Sequence, residues 1–67
     1  MSKFKYNDRV IVVKDDEDGF FIGLVGIVTD MVKFQSGVVY TVYDEKERHA
    51  PLNLREEQLE KVIEENE

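Results

Sequence analysis

The sequence predicts an all-β fold, a small barrel of five strands formed by a single domain. Two apolar runs rich in β-branched residues, RVIVV and LVGIVTDM, flank an acidic stretch, and residues of this kind favour a pleated surface. Gly23 and Gly26 lie just before and within the second run, where glycine marks a bulge, a sharp bend or a close backbone approach. A strand, a structured loop and a strongly bent strand are the usual start of a small barrel.

The chain of 67 residues is long enough for one domain, and a domain of this size buries only a small core. With 42% hydrophobic residues it is too apolar to remain disordered. It contains no cysteine, which excludes disulfides and thiolate metal sites. No apolar run approaches the length of a membrane span. We therefore expect a soluble, cytoplasmic protein without a membrane partner.

The lead-in SKFKYN alternates cations with aromatics and precedes the first predicted strand, Arg9–Val13. Because side chains along a strand point alternately to the two faces, one set of this segment should face the core. That set comprises Phe4, Tyr6, Val10 and Val12. Ile11 and Val13 should point the other way.

The second predicted strand is Leu24–Met31, and the same alternation assigns its residues to two faces. Its inward residues are Leu24, Gly26 and Val28, and its outward residues are Val25 and Ile27. Gly26 is the position where we expect the tightest bend of this strand.

The turn signal Gln35-Ser36-Gly37 separates the second strand from the third, Val38–Tyr43. In the third strand Val38, Tyr40 and Val42 share one face. The segment Asp44–Glu47 predicts an exposed hairpin turn, and Arg48–Leu52 the returning strand. Pro51 lacks a backbone donor and marks an edge or an end of that strand.

The C-terminal segment allows two interpretations. In the first, Asn53–Ile63 is a helix, capped by Asn53, with Leu59, Val62 and Ile63 on one face. In the second, Arg55–Gln58 is a turn and Leu59–Ile63 a fifth strand. We favour the second, because a fifth strand removes an open edge of the sheet. The domain then spans residues 1–63, and residues 64–67, EENE, form a disordered acidic tail.

The order Asp8-Arg9-Val10 and then Gly23-Leu24-Val25-Gly26-Ile27-Val28 resembles the KOW motif of small SH3-like barrels. Transcription elongation factors and several ribosomal proteins carry this motif, and Tudor-like domains share its skeleton. The chain departs from the motif at Asn7, where the family usually has Gly, and at Ile22, where it often has a basic residue. The resemblance implies an SH3-like barrel that ends in a 3₁₀ turn and a short strand, and it implies RNA binding.

The inventory of reactive side chains argues against an enzyme. His49 is the only histidine, without a cysteine or second histidine to share a metal, and we expect it to be an exposed residue. The run Asp15–Asp18 followed by Gly19 lacks the first and last ligands of a calcium-binding EF-hand loop. No Gly-rich phosphate loop with its Lys and Ser or Thr is present. We therefore predict a protein without catalytic residues, cofactor or metal.

Two surface features suggest binding instead. Six apolar residues fall on the face opposite the predicted core, and Phe20 and Phe21 follow the acidic loop. This predicted protein-binding surface comprises Ile11, Val13, Phe20, Phe21, Val25, Ile27, Val39 and Tyr43. Lys3, Lys5 and Arg9 form a short basic stripe beside aromatics, which is typical of nucleic-acid-binding barrels.

From these features the sequence predicts a small binding or assembly module whose partner is another protein or a second copy of the chain. The alternative is a KOW-type RNA-binding module that uses the basic stripe, which the net charge of −6 disfavours. A second alternative is an acidic mimic of nucleic acid, in which Lys14–Asp18 and the tail imitate phosphates.

Overall fold

The computed structural model describes residues 3–15 and 18–63, which form one antiparallel sheet of five strands and a single 3₁₀ turn. The strands are β1 (Arg9–Val12), β2 (Val25–Phe34), β3 (Gly37–Asp44), β4 (Leu52–Arg55) and β5 (Leu59–Lys61), and the 3₁₀ turn is Glu56–Gln58. Their order across the sheet is β4-β3-β2-β1-β5. Within the described ranges, no helix has the length and apolar character needed to cross a membrane.

The core lies on one face of this sheet and confirms most of the predicted alternation. Its buried residues are Phe4, Val10, Val12, Leu24, Val28, Tyr40, Val42, Leu54 and Leu59. Phe21, Met31, Val38 and Leu52 pack against this cluster and are partly buried. Most of the inward residues predicted for the first three strands are thus in the core, because register in a half-buried sheet follows the hydrophobic pattern. They are Val10, Val12, Leu24, Val28, Tyr40 and Val42, whereas Val38 packs against the cluster.

The predicted core position of Tyr6 is wrong, because the chain turns between Phe4 and β1. Asn7 has a φ of 73°, and its backbone N–H donates to the carbonyl of Val28 at 2.8 Å. This left-handed residue interrupts the extended backbone on which strict alternation depends. Phe4 is therefore buried, whereas the side chain of Tyr6 is 56% exposed.

The predicted strand Arg48–Leu52 is also wrong: β4 is Leu52–Arg55. The Asp44 carboxylate accepts hydrogen bonds from the backbone N–H groups of Lys46 and Arg48, so this segment folds back on itself as a loop. Glu47 in that loop has a φ of 56°. Local hydrogen bonds of this kind compete with strand pairing, and strand pairing resumes only beyond Pro51.

The C-terminal segment is a 3₁₀ turn followed by a strand, and the helical alternative is wrong. Leu59 in β5 is buried opposite Val12 of β1. The carbonyl of Gln58 accepts hydrogen bonds from the N–H groups of Val13 and Lys14, which joins the 3₁₀ turn to the end of β1. The predicted acidic tail, residues 64–67, lies outside the described residues.

Gly26 is a position of close approach, whereas the irregularity of β2 lies further along. Gly26 pairs regularly with Val10 and Asp44, and the register shifts between Val28 and Asp30. A Cβ atom at Gly26 would lie 2.4 Å from the carbonyl oxygen of Tyr43. Glycine is thus required here for space, and the extra residue that bends a strand is at position 29.

The ten-residue strand β2 consists of two unlike halves. Residues 25–27 pair with β1 on one side, and residues 26–28 pair with β3 on the other. Residues 30–34 pair with β3 alone. The second half and the start of β3 therefore form a hairpin that extends beyond β1, at the opposite end of β2 from the acidic loop.

Candidate functional site

Two groups of apolar side chains lie at the two ends of β2. The first, the loop patch, consists of Phe20, Phe21, Ile22 and His49. The second, the hairpin patch, consists of Val32, Phe34 and Val39, which share one face in the register of β2 and β3. Ten residues of strand span about 30 Å, so the two patches are separate surfaces.

The loop patch is a set of rings from two loops. The ring centroids of Phe20 and Phe21 are 4.9 Å apart, and that of His49 lies 5.8 Å from Phe20 and 5.3 Å from Phe21. All three pairs meet edge to face, the arrangement that aromatic rings favour. His49, expected to be an isolated exposed residue, is instead half-buried in this cluster.

Hydrogen bonds fix the loop that carries the two phenylalanines. The backbone N–H of Phe21 donates to the Asp15 carboxylate at 2.8 Å, and that of Gly23 donates to the carbonyl of Val12 at 2.9 Å. Phe21 packs against the core, whereas Phe20 remains 71% exposed. Ile22 beside it is also exposed.

Asp44 fixes the second loop of this patch. Its side chain is buried, with 1% exposure, and it accepts the two backbone hydrogen bonds described above. Donation from the N–H of Lys46, and to a smaller extent from that of Arg48, holds the pKa of the Asp44 carboxyl below its ordinary value. This carboxylate orders the segment that brings His49 against the phenylalanines.

Four residues of the predicted protein-binding surface share one face in the register of the sheet. Ile27 pairs with Arg9 and Tyr43, and Val25 pairs with Ile11. Ile11, Val25 and Ile27 are partly buried, whereas Tyr43 is 39% exposed. This outer face, Ile11, Val25, Ile27 and Tyr43, is thus less accessible than alternation alone suggested.

The remaining two residues of that prediction lie elsewhere. Val39 is on the same side of the sheet but belongs to the hairpin patch, where it pairs with Val32 and Arg55. Val13 follows β1, and its N–H donates to the carbonyl of Gln58. The eight residues predicted from the sequence therefore do not form one continuous surface.

The basic stripe is divided by the turn at Asn7. Lys3 and Lys5 precede this turn, whereas Arg9 follows it within β1 and makes a two-pronged ion pair with Glu45, at 2.6 and 2.9 Å. The Lys3 ammonium lies 5.5 Å from the centroid of the Phe4 ring. Arg9 is thus engaged by an acid of its own chain.

The hairpin patch borders a groove of about 310 Å³. The groove forms because β4 ends at Arg55 while its neighbour β3 continues to Gly37. Its lining residues are Lys3, Phe34, Ser36, Gly37, Val38, Val39, Arg55, Glu56 and Glu57. Phe34, on its rim, is 58% exposed.

A hydrogen-bond network between Tyr40 and Glu56 supports this groove from beneath. The Tyr40 hydroxyl donates to the Glu56 carboxylate at 2.6 Å and accepts the N–H groups of Lys3 and Phe4 at 3.1 and 3.2 Å. Burial, and then the bond to Glu56, raises the pKa of Tyr40. The bond from Tyr40, and then one from the N–H of Lys3, lowers the pKa of Glu56.

The structure describes only part of the acidic loop, residues 14–19. Asp16 and Glu17 lie outside the described residues, and the Asp15 carboxylate accepts the N–H of Phe21. In the described ranges no three His, Asp or Glu side chains are close enough to hold a metal ion.

Comparison of the chain with protein-family models, with curated proteins and with solved structures gives no match. Sequence reasoning missed Ile22, Val32 and Phe34, and it missed the roles of Asp44 and Glu56. The alternation of apolar residues in VKF, continuing past the predicted end of the second strand, was the available signal for Val32 and Phe34.

Proposed function

We propose that the protein is a small non-catalytic binding module built on an SH3-like barrel, and that it engages another protein through the loop patch. The strand order, the 3₁₀ turn between β4 and β5 and the hydrogen bonds from this turn to the end of β1 support that architecture. The resemblance of residues 8–28 to a KOW motif supports it as well.

The observation that carries the proposal is the exposure of Phe20 on an ordered loop. Its ring is 71% exposed although the neighbouring backbone is fixed by hydrogen bonds from Phe21 and Gly23. A fixed aromatic side chain binds at a low cost in conformational entropy, and aromatic anchors contribute much of the free energy of protein–protein interfaces. Ile22 adds apolar area beside it.

The charges around Phe20 define the chemistry of the partner. Asp15 and Asp18 flank the loop patch, and the sequence between them adds two further acids. The complementary surface is an apolar pocket with a basic rim, since opposite potentials speed the encounter and suppress wrong partners. The partly buried outer face with Tyr43 provides a second contact area on the same module.

Affinity capture from the host of the native protein tests this proposal, using the wild type and the variants Phe20→Ser and Ile27→Lys. We expect Phe20→Ser to lose the captured protein, because the anchor is removed, and Ile27→Lys to reduce capture if the outer face contributes. Phe34→Ser, an equally drastic change at the other end of β2, is the matched control and should retain it. Equal capture by Phe20→Ser and the wild type would contradict the proposal.

The affinity for RNA separates this proposal from the RNA-binding alternative. With Arg9 engaged by Glu45, we expect no binding to generic RNA tighter than about 10 µM at ~150 mM salt, because phosphate binding needs several available cations. Fluorescence anisotropy with a labelled single-stranded RNA measures this affinity. Micromolar or tighter binding that Lys3→Glu with Lys5→Glu eliminates would favour the alternative.

A further inference from the structure

We propose that the hairpin patch is a self-association surface, on which a second copy of this chain docks through a two-fold symmetric contact. This proposal is independent of the proposed function, because it uses residues at the other end of β2.

The side chains of the hairpin patch are held in an exposed position. Val32 pairs with Val39, and Phe34 with Gly37, so the hairpin register holds both side chains outward. Val32 is 49% and Phe34 58% exposed. In the described part of the chain, residues 30–34 pair with β3 only, so no second strand lies beside this half of β2. Neighbouring apolar side chains held outward on paired strands mark a contact surface.

The distribution of charge favours a second copy as the occupant of the hairpin patch. The hairpin and the groove carry three cations and three acids, namely Lys3, Lys33, Arg55, Asp30, Glu56 and Glu57. The whole chain carries a net charge of −6, so two copies repel each other over much of their surfaces. At the balanced hairpin patch they can approach without this repulsion, whereas at the loop patch the flanking acids would oppose it.

The shape of the hairpin patch and its groove also fits a second copy. A two-fold contact is self-complementary, since each copy presents the same surface to the other. Phe34 projects from the rim of a groove of about 310 Å³, a volume in the range that holds small ligands and sufficient for one aromatic ring. Phe34 of each copy can therefore enter the groove of the other. Arg55 and Glu57 on the groove wall form an ion pair within one copy, at 3.4 Å, so this wall presents no uncompensated charge to the ring.

Sedimentation velocity tests this proposal on the full chain, from about 10 µM to ~1 mM, the range in which small interfaces associate. We expect the mass to rise from 7.9 kDa towards twice that value. Phe34→Lys should remain monomeric, because it removes the ring that enters the groove of the other copy. Val32→Lys, with circular dichroism to verify folding of both variants, should behave likewise.

Phe20→Lys is the matched control, because it makes the same chemical change at an exposed Phe and alters the net charge equally. It should self-associate like the wild type. Association should also persist or increase with salt, since screening weakens the repulsion between two acidic copies. A wild type that stays at 7.9 kDa at the highest concentration, or a folded Phe34→Lys that associates normally, would overturn the proposal. So would association that only Phe20→Lys abolishes, or that high salt abolishes.

Discussion

The two halves of β2 differ in their neighbouring strands and in the exposure of their side chains. Residues 26 and 27 lie between β1 and β3. At position 26 the backbone of β3 is so close that there is no space for a side chain larger than that of glycine. Residues 30–34 pair with β3 alone and hold Val32 and Phe34 outward. A substitution at Gly26 should therefore be costly for folding, whereas substitutions at Val32 and Phe34 should mainly affect association.

The largest effect is expected at Gly26. A Cβ atom would lie 2.4 Å from the Tyr43 carbonyl oxygen and 2.6 Å from a methyl group of Val42, so the sheet must shift to accept it. We expect Gly26→Ala to lower the free energy of unfolding by about 2–4 kcal/mol, and Gly26→Val by at least as much. Urea denaturation measures this. Val32→Ala in the second half is the control and should cost less than about 1 kcal/mol; equal losses would remove the distinction between the halves.

The next largest effect concerns Tyr40, which lies opposite Met31 of the second half. Tyr40→Phe keeps the buried ring but removes the hydroxyl that donates to Glu56 and accepts the N–H of Phe4. We expect a loss of about 1–3 kcal/mol in the free energy of unfolding, because the buried N–H of Phe4 is left without the hydroxyl oxygen that accepts its hydrogen bond. Tyr43→Phe, which removes an exposed hydroxyl, should cost little. A Tyr40→Phe variant as stable as the wild type would show that the network does not stabilise the groove.

A smaller effect should appear in the dependence of stability on pH. The pKa of Glu56 at the hairpin end and that of Asp44 at the loop end are both lowered by hydrogen bonds to the folded protein. A carboxyl whose pKa is lower in the folded state stabilises the fold above its unfolded pKa, and this contribution disappears as the pH falls through the folded pKa. Stability should thus be constant near neutral pH and decrease below about pH 4.5, the ordinary range of these groups.

Urea denaturation of Glu56→Gln and Asp44→Asn between neutral pH and about pH 3 tests the assignment. Each variant should start less stable than the wild type and lose less stability on acidification, because one linked carboxyl is absent. Glu60→Gln, for which the side chain is exposed, is the control and should follow the wild type. Curves for Glu56→Gln and the wild type that run parallel would exclude Glu56 as a source of the acid sensitivity.

The smallest effect on stability is expected for the two exposed phenylalanines. Phe20→Ser and Phe34→Ser should each change the free energy of unfolding by less than about 0.5 kcal/mol, since exposed side chains contribute little to folding. Thermal denaturation at low protein concentration measures this. A large loss for either variant would mean that its ring is part of the fold, and the binding experiments with that residue would then need Ile22 or Val32 in its place.

Much of the strand pattern could be predicted from the sequence. Val10, Val12, Val28 and Val42 are buried as the alternation requires, because half-buried strands place every second residue in the core. These positions follow from local periodicity, which a single sequence contains. The 3₁₀ turn and β5 were predicted as well, but from the resemblance to small barrels and the need to cover an open edge, because periodicity there predicted a helix.

The interruptions of that periodicity were decided by the tertiary structure alone. The turn at Asn7 exposes Tyr6, the hydrogen bonds to Asp44 turn a predicted strand into a loop, and the irregular register near Thr29 lets β2 continue to Phe34. Each depends on a backbone group or a neighbouring strand that is distant in sequence or invisible to side-chain patterning. The accessible apolar patches depend on them too, because exposure is decided by which strands end early and which continue.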